Sequence, residues 1–306
     1  ITVTASIGIT MSPDDGLESN ELLRNADIAL YRVKEQGRNG LEFFSEELAQ
    51  SSLLIMNMRN ALHQAIADDE FIVYYQPQVN TLTGKITGTE ALVRWQSKEM
   101  GLVQPNNFIP LAEESGLIVP IGKSVLRQAC RQMKTWLEMG TGLEHIAVNL
   151  SAKQIASKTL IEDIKQILNE TQLQAHYLEL EVTETTIILN QEYIKTFKTL
   201  QDLGIKISID NFGTGHSSLT RLKKLPITKL KIDRSFIQGV TDDEDDKVIV
   251  KTVIGLAKNL GLMVIAEGVE EPSQVQFLKN HGCEMMQGYY FSKPVLPNKL
   301  DISGHS

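Results

Sequence analysis

The feature that most constrains the fold of this chain is a regular alternation of short β-rich runs and helical segments that begins after Asp69. Repeats of this βα kind form a mostly parallel sheet with helices packed on the strands. The β-rich runs are Phe71 to Gln76, Ile86 to Trp95, His145 to Leu150, Tyr177 to Thr183, Ile205 to Ile209, Lys229 to Ile232, Met263 to Ala266 and Glu284 to Tyr290. Eight strands over roughly 230 residues predict an α/β fold, a (β/α)8 TIM-like barrel.

The first part of the chain follows a different pattern. Residues 1–44 combine a strand-like start, an amphipathic helix from Glu21 to Gln36 and a short strand from Leu41 to Phe44. This N-terminal α+β fragment is too small to bury a core by itself. Residues 45–67 carry apolar side chains at helical spacing without Gly or Pro, which predicts a connecting helix. The barrel domain is then expected over residues 68–300.

Composition restricts the partners. The chain has 306 residues and a formal net charge of -8. An acidic balance argues against binding of polymeric nucleic acid, but it permits a small anionic ligand bridged by metal ions. No apolar run of about eighteen residues occurs, so we expect no membrane contact from this segment and a cytoplasmic location. Because the chain opens without Met, a membrane anchor further upstream stays open.

A polar side chain lies at or near the end of every β-rich run, which is where barrels of this type place their active sites. In chain order these side chains are Gln76, Glu90 with Arg94, Asn149, Glu181 with Glu184, Asp210, Lys231 with Asp233, Glu267 with Glu270, and Gln287. Several carboxylates on one rim repel one another unless cations lie between them. Oxygen ligands without histidine favour Mg²⁺ or Mn²⁺ over zinc. The sequence therefore predicts a divalent-metal site.

Longer motifs surround these polar residues in a fixed order from about Phe71 to Asn298. They are Tyr75-Gln76-Pro77, Glu90 to Trp95, Phe108-Ile109-Pro110, Asn149-Leu150-Ser151, Glu181 to Glu184, Asp210 to Gly215, Leu230 to Phe236, Ala266 to Glu270 and Gln287 to Tyr290. This series resembles the EAL domain of cyclic di-GMP phosphodiesterases. One Glu-Ala-Leu tripeptide would have no weight alone, but the ordered series identifies the chain as a member of that family.

A second resemblance concerns the N-terminal fragment. Ala26 to Tyr31, followed by Gly37-Arg38-Asn39, resembles the C-terminal end of GGDEF (diguanylate cyclase) domains. The GGDEF signature and the nucleotide-binding half of that domain are absent from this sequence. We therefore expect no cyclase activity from this chain, which resembles the C-terminal part of a GGDEF-EAL tandem protein.

The EAL resemblance implies hydrolysis of cyclic di-GMP to linear pGpG with two divalent cations, Mg²⁺ or Mn²⁺. The implied metal ligands are Glu90, Asn149, Glu181, Asp210 and Asn211. Catalytic and supporting roles are implied for Lys231, Glu267, Gln287 and Glu184, the last as the anchor of the loop after Asp210. Substrate contacts are implied for Gln76, Arg94 and Glu270. A homodimer is also expected, with Phe236 and Ile237 as a candidate contact patch.

Asn211 departs from the family pattern, because active members carry two consecutive aspartates where this chain has Asp210 and Asn211. An amide keeps a carbonyl oxygen but lacks the negative charge, so we expect the second cation to bind at least roughly 10- to 100-fold more weakly. Two hypotheses stay open. The domain is a slow phosphodiesterase, which the intact Glu90 and Lys231 favour, or it is a catalytically degenerate receptor for cyclic di-GMP. His216, where the family usually has Tyr, is expected to have no catalytic role.

Overall fold

A computed structural model describes residues 4–35, 38–189, 193–214 and 222–302. The chain divides into two compact units, Ile1–Ala67 and Asp68–Ser306. In the first unit, strands β1 (Ile7–Ile9) and β2 (Leu41–Phe43) pair in parallel, and helices α1 (Ser19–Glu35) and α2 (Glu46–Ala67) follow β1 and β2 respectively. Within the described residues, the strand-like start of the chain forms a strand over Ile7–Ile9. None of the described helices has the length and apolarity that crossing a bilayer requires.

The second unit alternates strands and helices as the hydrophobic pattern predicts. Its strands are β3 (Phe71–Asn80), β4 (Ile86–Ser97), β5 (Gly101–Val103), β6 (His145–Asn149), β7 (Leu178–Thr183), β8 (Lys206–Phe212), β9 (Lys229–Ile232), β10 (Met263–Ala266) and β11 (Met285–Met286). Its described helices are α3 (Pro105–Ser115), α4 (Ile118–Glu138), α5 (Ala152–Ile155), α6 (Leu160–Thr171), α7 (Glu184–Leu189), α8 (Tyr193–Asp202), α9 (Arg234–Gly239), α10 (Glu244–Leu260) and α11 (Pro272–Asn280).

Eight of these strands close into a barrel, which confirms the predicted TIM-like fold. The order around the barrel is β3-β11-β10-β9-β8-β7-β6-β4, and β4 returns to pair with β3 while β5 extends from its other edge. Around the barrel, neighbouring strands are parallel except at β3, which runs antiparallel to both β4 and β11; the added strand β5 is antiparallel to β4. Along α4, Val125, Ala129, Met133 and Trp136 are buried, consistent with one apolar face turned to the core.

The predicted alternation of strands and helices fails between the first two strands, because β3 and β4 form a hairpin with no helix between them. The connection is too short for a parallel crossover, which needs about a dozen residues or more. Asn80 stabilises the turn, since its Oδ1 accepts hydrogen bonds from the backbone N–H groups of Leu82 and Thr83. Gln76 therefore lies inside an antiparallel strand rather than at a strand end, directly opposite Glu90 in the register.

A buried polar cluster, here named the lower layer, lies inside the barrel and consists of Gln78, His145, Glu179 and Lys229. The Lys229 Nζ atom lies 2.8 Å from Glu179 Oε2 and 3.1 Å from His145 Nε2. The same His145 nitrogen lies 2.7 Å from Gln78 Oε1. Lys229 and Glu179 are completely buried. The sequence prediction missed this layer, although Glu179 and Lys229 each stand two residues before a predicted site residue and thus on the same face of their strands.

The lower layer predicts a pH-dependent contribution to stability. Burial, with the neighbouring Lys229 charge, lowers the pKa of His145 to about 3. In the unfolded chain His145 binds a proton at an ordinary histidine pKa of about 6.5, whereas the folded chain keeps it neutral. The stability that follows from this difference is therefore fully present above about pH 6.5 and is lost as the pH falls. Between about pH 6.5 and 4.5 we expect the unfolding free energy of the wild type, relative to His145→Gln, to fall by up to about 1.4 kcal/mol per pH unit.

The comparison with His145→Gln is needed because Glu267 contributes a pH dependence of stability with the opposite sign. Burial and nearby carboxylates raise the pKa of Glu267 to about 8, so its contribution is lost as the pH rises through that value. Denaturant titrations of both proteins at several pH values, without added divalent cations, measure the difference. A difference that is constant with pH would show that His145 titrates alike in the folded and unfolded chains.

Candidate active site

A cavity of about 240 Å³ in the second unit brings together side chains that lie far apart in its sequence, from Gln76 to Pro294. Seven of the predicted site residues line it, namely Gln76, Glu90, Arg94, Asp210, Glu267, Glu270 and Gln287. Asn149 and Glu181 line another cavity, of about 270 Å³, whose walls are mainly apolar. Leu92 is common to the walls of both cavities, which therefore adjoin the same part of β4.

Lys231 is the centre of the charged cluster. It projects from β9 and is fully buried, and its Nζ lies 2.6 Å from Glu267 Oε1 and 3.4 Å from Asp210 Oδ1. The same ammonium donates a hydrogen bond to Glu181 and lies 3.6 Å from Glu90 Oε2. Four carboxylates around one ammonium carry a formal excess of negative charge, which is costly in a buried place.

The charge excess appears in the pKa values of the cluster. Burial, and then the Glu90 charge, raises the pKa of Glu181 well above its usual range. Burial would also raise the pKa of Glu90, yet the Lys231 ammonium and hydrogen bonds from Gln287 and Asn149 hold it below its usual range. Although burial lowers the pKa of Lys231, the surrounding carboxylates raise it further, so the ammonium stays charged at neutral pH.

Amide side chains fix the orientation of Glu90. Asn149 Nδ2 donates to Glu90 Oε1 at 2.7 Å, and Gln287 Nε2 donates to Glu90 Oε2 at 2.5 Å. The Gln287 nitrogen also donates to Gln76 Oε1 at 3.0 Å, while its Oε1 accepts from Gln78 Nε2 at 3.0 Å. Gln287 therefore connects the acidic cluster with the lower layer.

Asp210 and Asn211 form a bulge in β8. The pairing of β8 with β9 shifts register between Ile209 and Phe212. Asn211 has a φ of 54°, in the left-handed region that Asn and Asp enter at lower cost than most residues. Its backbone N–H donates to Asp210 Oδ1 at 2.9 Å.

The loop after this bulge is tied to the first residue of α7, Glu184. The buried Glu184 side chain accepts a hydrogen bond from the Gly213 backbone N–H at 3.0 Å, through Oε2. A hydrogen bond of this kind is what Glu184 needs in order to anchor the loop after Asp210. His216 lies outside the described residues.

Comparisons with known proteins identify the family. Residues 59–294 match the EAL domain, and residues 1–40 match the GGDEF domain of diguanylate cyclases. The chain belongs to the EAL domain family. Over 301 residues it is 42% identical to the bifunctional diguanylate cyclase/cyclic di-GMP phosphodiesterase MucR of Pseudomonas aeruginosa, covering 98% of this chain and 44% of MucR.

Two further matches are a second curated relative and a solved structure. The cyclic di-GMP phosphodiesterase NbdA of Pseudomonas aeruginosa is 40% identical over 296 residues, which cover 96% of this chain and 38% of NbdA. The solved structure titled PaMucR phosphodiesterase, c-di-GMP complex, superposes with a TM-score of 0.76 at 42% identity, covering 78% of this chain and 97% of that one. The chain spans less than half the length of the two curated relatives.

The side chains of this EAL domain fit a hard divalent cation. Among the described residues, no three acidic, histidine or cysteine side chains are arranged as a ready-made metal site. The Lys231 ammonium lies among the carboxylates instead. The donor set nevertheless consists of oxygens, its charge is in excess, and the buried Glu181 Oε1 has no hydrogen-bond partner among the described atoms. An uncompensated oxygen of this kind suits Mg²⁺ or Mn²⁺.

Arg94 and Arg234 are the basic residues in the wall of the cavity of about 240 Å³. Arg94 was predicted; it is half-buried, and its guanidinium lies 5.5 Å from the centre of the Tyr74 ring. Arg234 was missed, although it directly follows the β9 run and Asp233. Ile237, predicted as part of a dimer patch, is completely buried within the chain, so that part of the prediction is wrong. Ile237 lies in helix α9, which packs against α10.

Proposed function

We propose that this EAL domain hydrolyses one phosphodiester bond of cyclic di-GMP, giving linear pGpG, in a reaction that depends on divalent cations. The convergence of four carboxylates on Lys231 beside a cavity lined by Arg94 is the observation that carries the proposal. Relatives that are named cyclic di-GMP phosphodiesterases support the choice of substrate. A cytoplasmic location is part of this proposal.

The proposed cation ligands are Glu90, Asn149, Glu181 and Asp210, with the carbonyl oxygen of Asn211 as a weaker fifth. Two divalent cations, Mg²⁺ or Mn²⁺, would supply charge neutralisation at the phosphoryl oxygens and a lower pKa for the attacking water. Every ligand proposed here is an oxygen donor, which is the preference of both ions.

The protein side chains then hold the substrate and the water. Arg94 offers two parallel N–H groups to a phosphate oxygen pair. Lys231 keeps its proton and holds the attacking water and the phosphoryl group through Nζ. Glu267 lines the cavity with its Oε1 2.6 Å from Lys231 Nζ, and in this proposal it positions a water that the second cation would bind. Gln287 keeps Glu90 oriented by its hydrogen bond to Oε2.

Asn211→Asp tests the metal assignment. The variant restores one negative charge without changing the backbone requirement, since Asp also tolerates the left-handed conformation. We expect kcat/KM for cyclic di-GMP to rise by about 10-fold or more, and the Mg²⁺ concentration at half-maximal rate to fall by a similar factor. Chromatography of linear product at graded Mg²⁺ and Mn²⁺ measures both. An unchanged rate and metal dependence would remove Asn211 from the ligand set.

The second candidate function is a receptor that binds cyclic di-GMP without turnover, and the missing charge at Asn211 favours it. Calorimetric binding together with product analysis separates the two. Measurable binding without product in either metal would establish the receptor and exclude the enzyme. We also propose a homodimer, which light scattering at several protein concentrations tests.

A further inference from the structure

The lower layer reaches the charged cluster through one of its members, Gln78. This residue lies on β3, is completely buried and is outside the wall of the cavity of about 240 Å³. Its Nε2 donates to Gln287 Oε1 at 3.0 Å, and its Oε1 lies 2.7 Å from His145 Nε2. Both polar atoms of this amide are therefore used, one toward the charged cluster and the other toward the lower layer.

His145 reaches Gln78 because the strand between them carries a glycine at that level. Gly88 of β4 pairs with Gln78 of β3 on one side and with His145 of β6 on the other. A Cβ at Gly88 would lie 2.3 Å from Cε1 of the His145 ring, so the imidazole occupies the space over the glycine. A glycine within a strand often marks such a close approach. Any larger residue at position 88 would displace the ring from Gln78.

The direction of these hydrogen bonds is set at both ends. Gln287 turns its Nε2 to Glu90 Oε2 and Gln76 Oε1, because both of these atoms are acceptors. The Gln287 Oε1 then accepts from Gln78 Nε2, and the Gln78 Oε1 in turn needs a donor. Burial lowers the pKa of His145 to about 3, so its ring is neutral and carries one proton. That proton must be on Nε2 if His145 is to donate to Gln78.

Lys229 makes a second arrangement available. Its ammonium can only donate, and its Nζ lies 3.1 Å from His145 Nε2, so it competes with Gln78 for this nitrogen. With the ring proton on Nδ1, the His145 Nε2 would accept from Lys229 and Gln78 would lose its donor. The Gln78 amide could then turn, and Gln287 Oε1 would lose the N–H group that holds it. The position of the proton on His145 is thereby linked to the amide that orients Glu90.

We propose that Gln78 is a positioning residue of the active site, an inference that rests on the proposed function. With the Nε2–H tautomer of His145 as its donor, Gln78 holds the Gln287 amide in the orientation that fixes Glu90, a proposed cation ligand. Both Gln78 and His145 act through Gln287 and touch no substrate. Because aligned hydrogen bonds polarise one another, the loss of one link weakens the bond at the end of the chain. Loss of an outer partner of a metal ligand typically costs about 10- to 100-fold in metal affinity or activity.

Gln78→Met tests the link, since it removes both hydrogen bonds at nearly constant side-chain size. We expect the dissociation constant of Mn²⁺, measured by calorimetric titration of the whole chain without substrate, to rise about 10-fold. KM for cyclic di-GMP at saturating Mn²⁺ should stay close to the wild-type value, because Gln78 lies outside the cavity wall. Thr89→Val is the matched control. Thr89 is completely buried beside Glu90, and its hydroxyl has no hydrogen-bond partner among the described atoms, so Mn²⁺ affinity should not change.

Two substitutions of His145 separate its donor from its ring. His145→Gln keeps an N–H donor for Gln78 and should preserve the affinity for Mn²⁺, whereas His145→Leu removes the donor and should weaken Mn²⁺ as Gln78→Met does. The NMR shifts of isotope-labelled ring nitrogens distinguish the tautomers. We expect Nε2–H in the wild type and Nδ1–H in Gln78→Met, where only Lys229 still contacts that nitrogen.

Three results would overturn the positioning role: unchanged Mn²⁺ affinity in Gln78→Met, equal Mn²⁺ affinities in His145→Leu and His145→Gln, or the Nδ1–H tautomer in the wild type. Failure of the proposed hydrolysis would look different. A wild type that bound Mn²⁺ and lost affinity in Gln78→Met, but formed no linear product, would support the positioning of Glu90 and exclude the enzyme.

Discussion

Replacement of Lys229 by Met is expected to lower the free energy of unfolding of the barrel by about 3–5 kcal/mol. The substitution leaves Glu179 without its cation in the barrel interior, where both side chains are completely buried. The Lys229 charge helps to hold the pKa of Glu179 at about 2, against the effect of burial. Both tryptophans, Trp95 and Trp136, lie in the second unit, so urea denaturation followed by tryptophan fluorescence reports on the barrel alone.

Two controls make this expectation specific. Adding Glu179→Leu to Lys229→Met removes both charges, and apolar replacement of a whole buried pair is often neutral, so most of the lost stability should return. Lys98→Met removes a lysine of the same unit that is 68% exposed and paired with Asp68, and it should change stability little. Equal effects of Lys229→Met and Lys98→Met would show that the buried pair carries no special cost.

Replacement of Lys231 by Met should lower the turnover of cyclic di-GMP by about 100- to 1000-fold, the size of effect seen when one preorganised donor is removed from a transition state. The Lys231 ammonium contacts all four carboxylates of the cluster, and no neutral side chain can take over those contacts. Lys231→Arg is not expected to restore activity, because a planar guanidinium has a different shape from a compact ammonium. Single-turnover assays at saturating Mn²⁺ measure the chemical step.

A second readout distinguishes loss of catalysis from loss of fold. Without Lys231 the carboxylates have only added cations to compensate their charge, so Mn²⁺ should raise the melting temperature of Lys231→Met more than that of the wild type. A variant that kept more than a tenth of the wild-type turnover would exclude Lys231 from the reaction.

The barrel and most of its charged cluster were predictable because two simple periodicities act together. Strands of one sheet present alternate residues to one face, and parallel strand ends meet at one rim, so Glu181, Asp210 and Glu267 had to approach one another. The β3–β4 hairpin was mispredicted because a β-rich run carries no sign of its direction. The short connection around Gly84 was the available signal, since it leaves no room for a crossover.

Other parts of the site depend on contacts between residues far apart in sequence. Lys231 was placed correctly by its strand, but its position among four carboxylates follows from barrel closure. The link from Gln287 through Gln78 to His145 joins strands that no local pattern relates. The burial of Ile237 depends on how α9 packs, and its hydrophobicity suits a surface patch as well as a core.

The bulge in β8 restricts how the position of Asn211 can vary. Its left-handed backbone is easily adopted by Asn, Asp and Gly, and the first two differ in charge rather than in shape. One nucleotide change in a codon exchanges them. If Asn211 holds a cation as proposed, exchange of Asn and Asp at this position changes the rate of hydrolysis without changing the packing, and the bulge then sets how long the messenger persists.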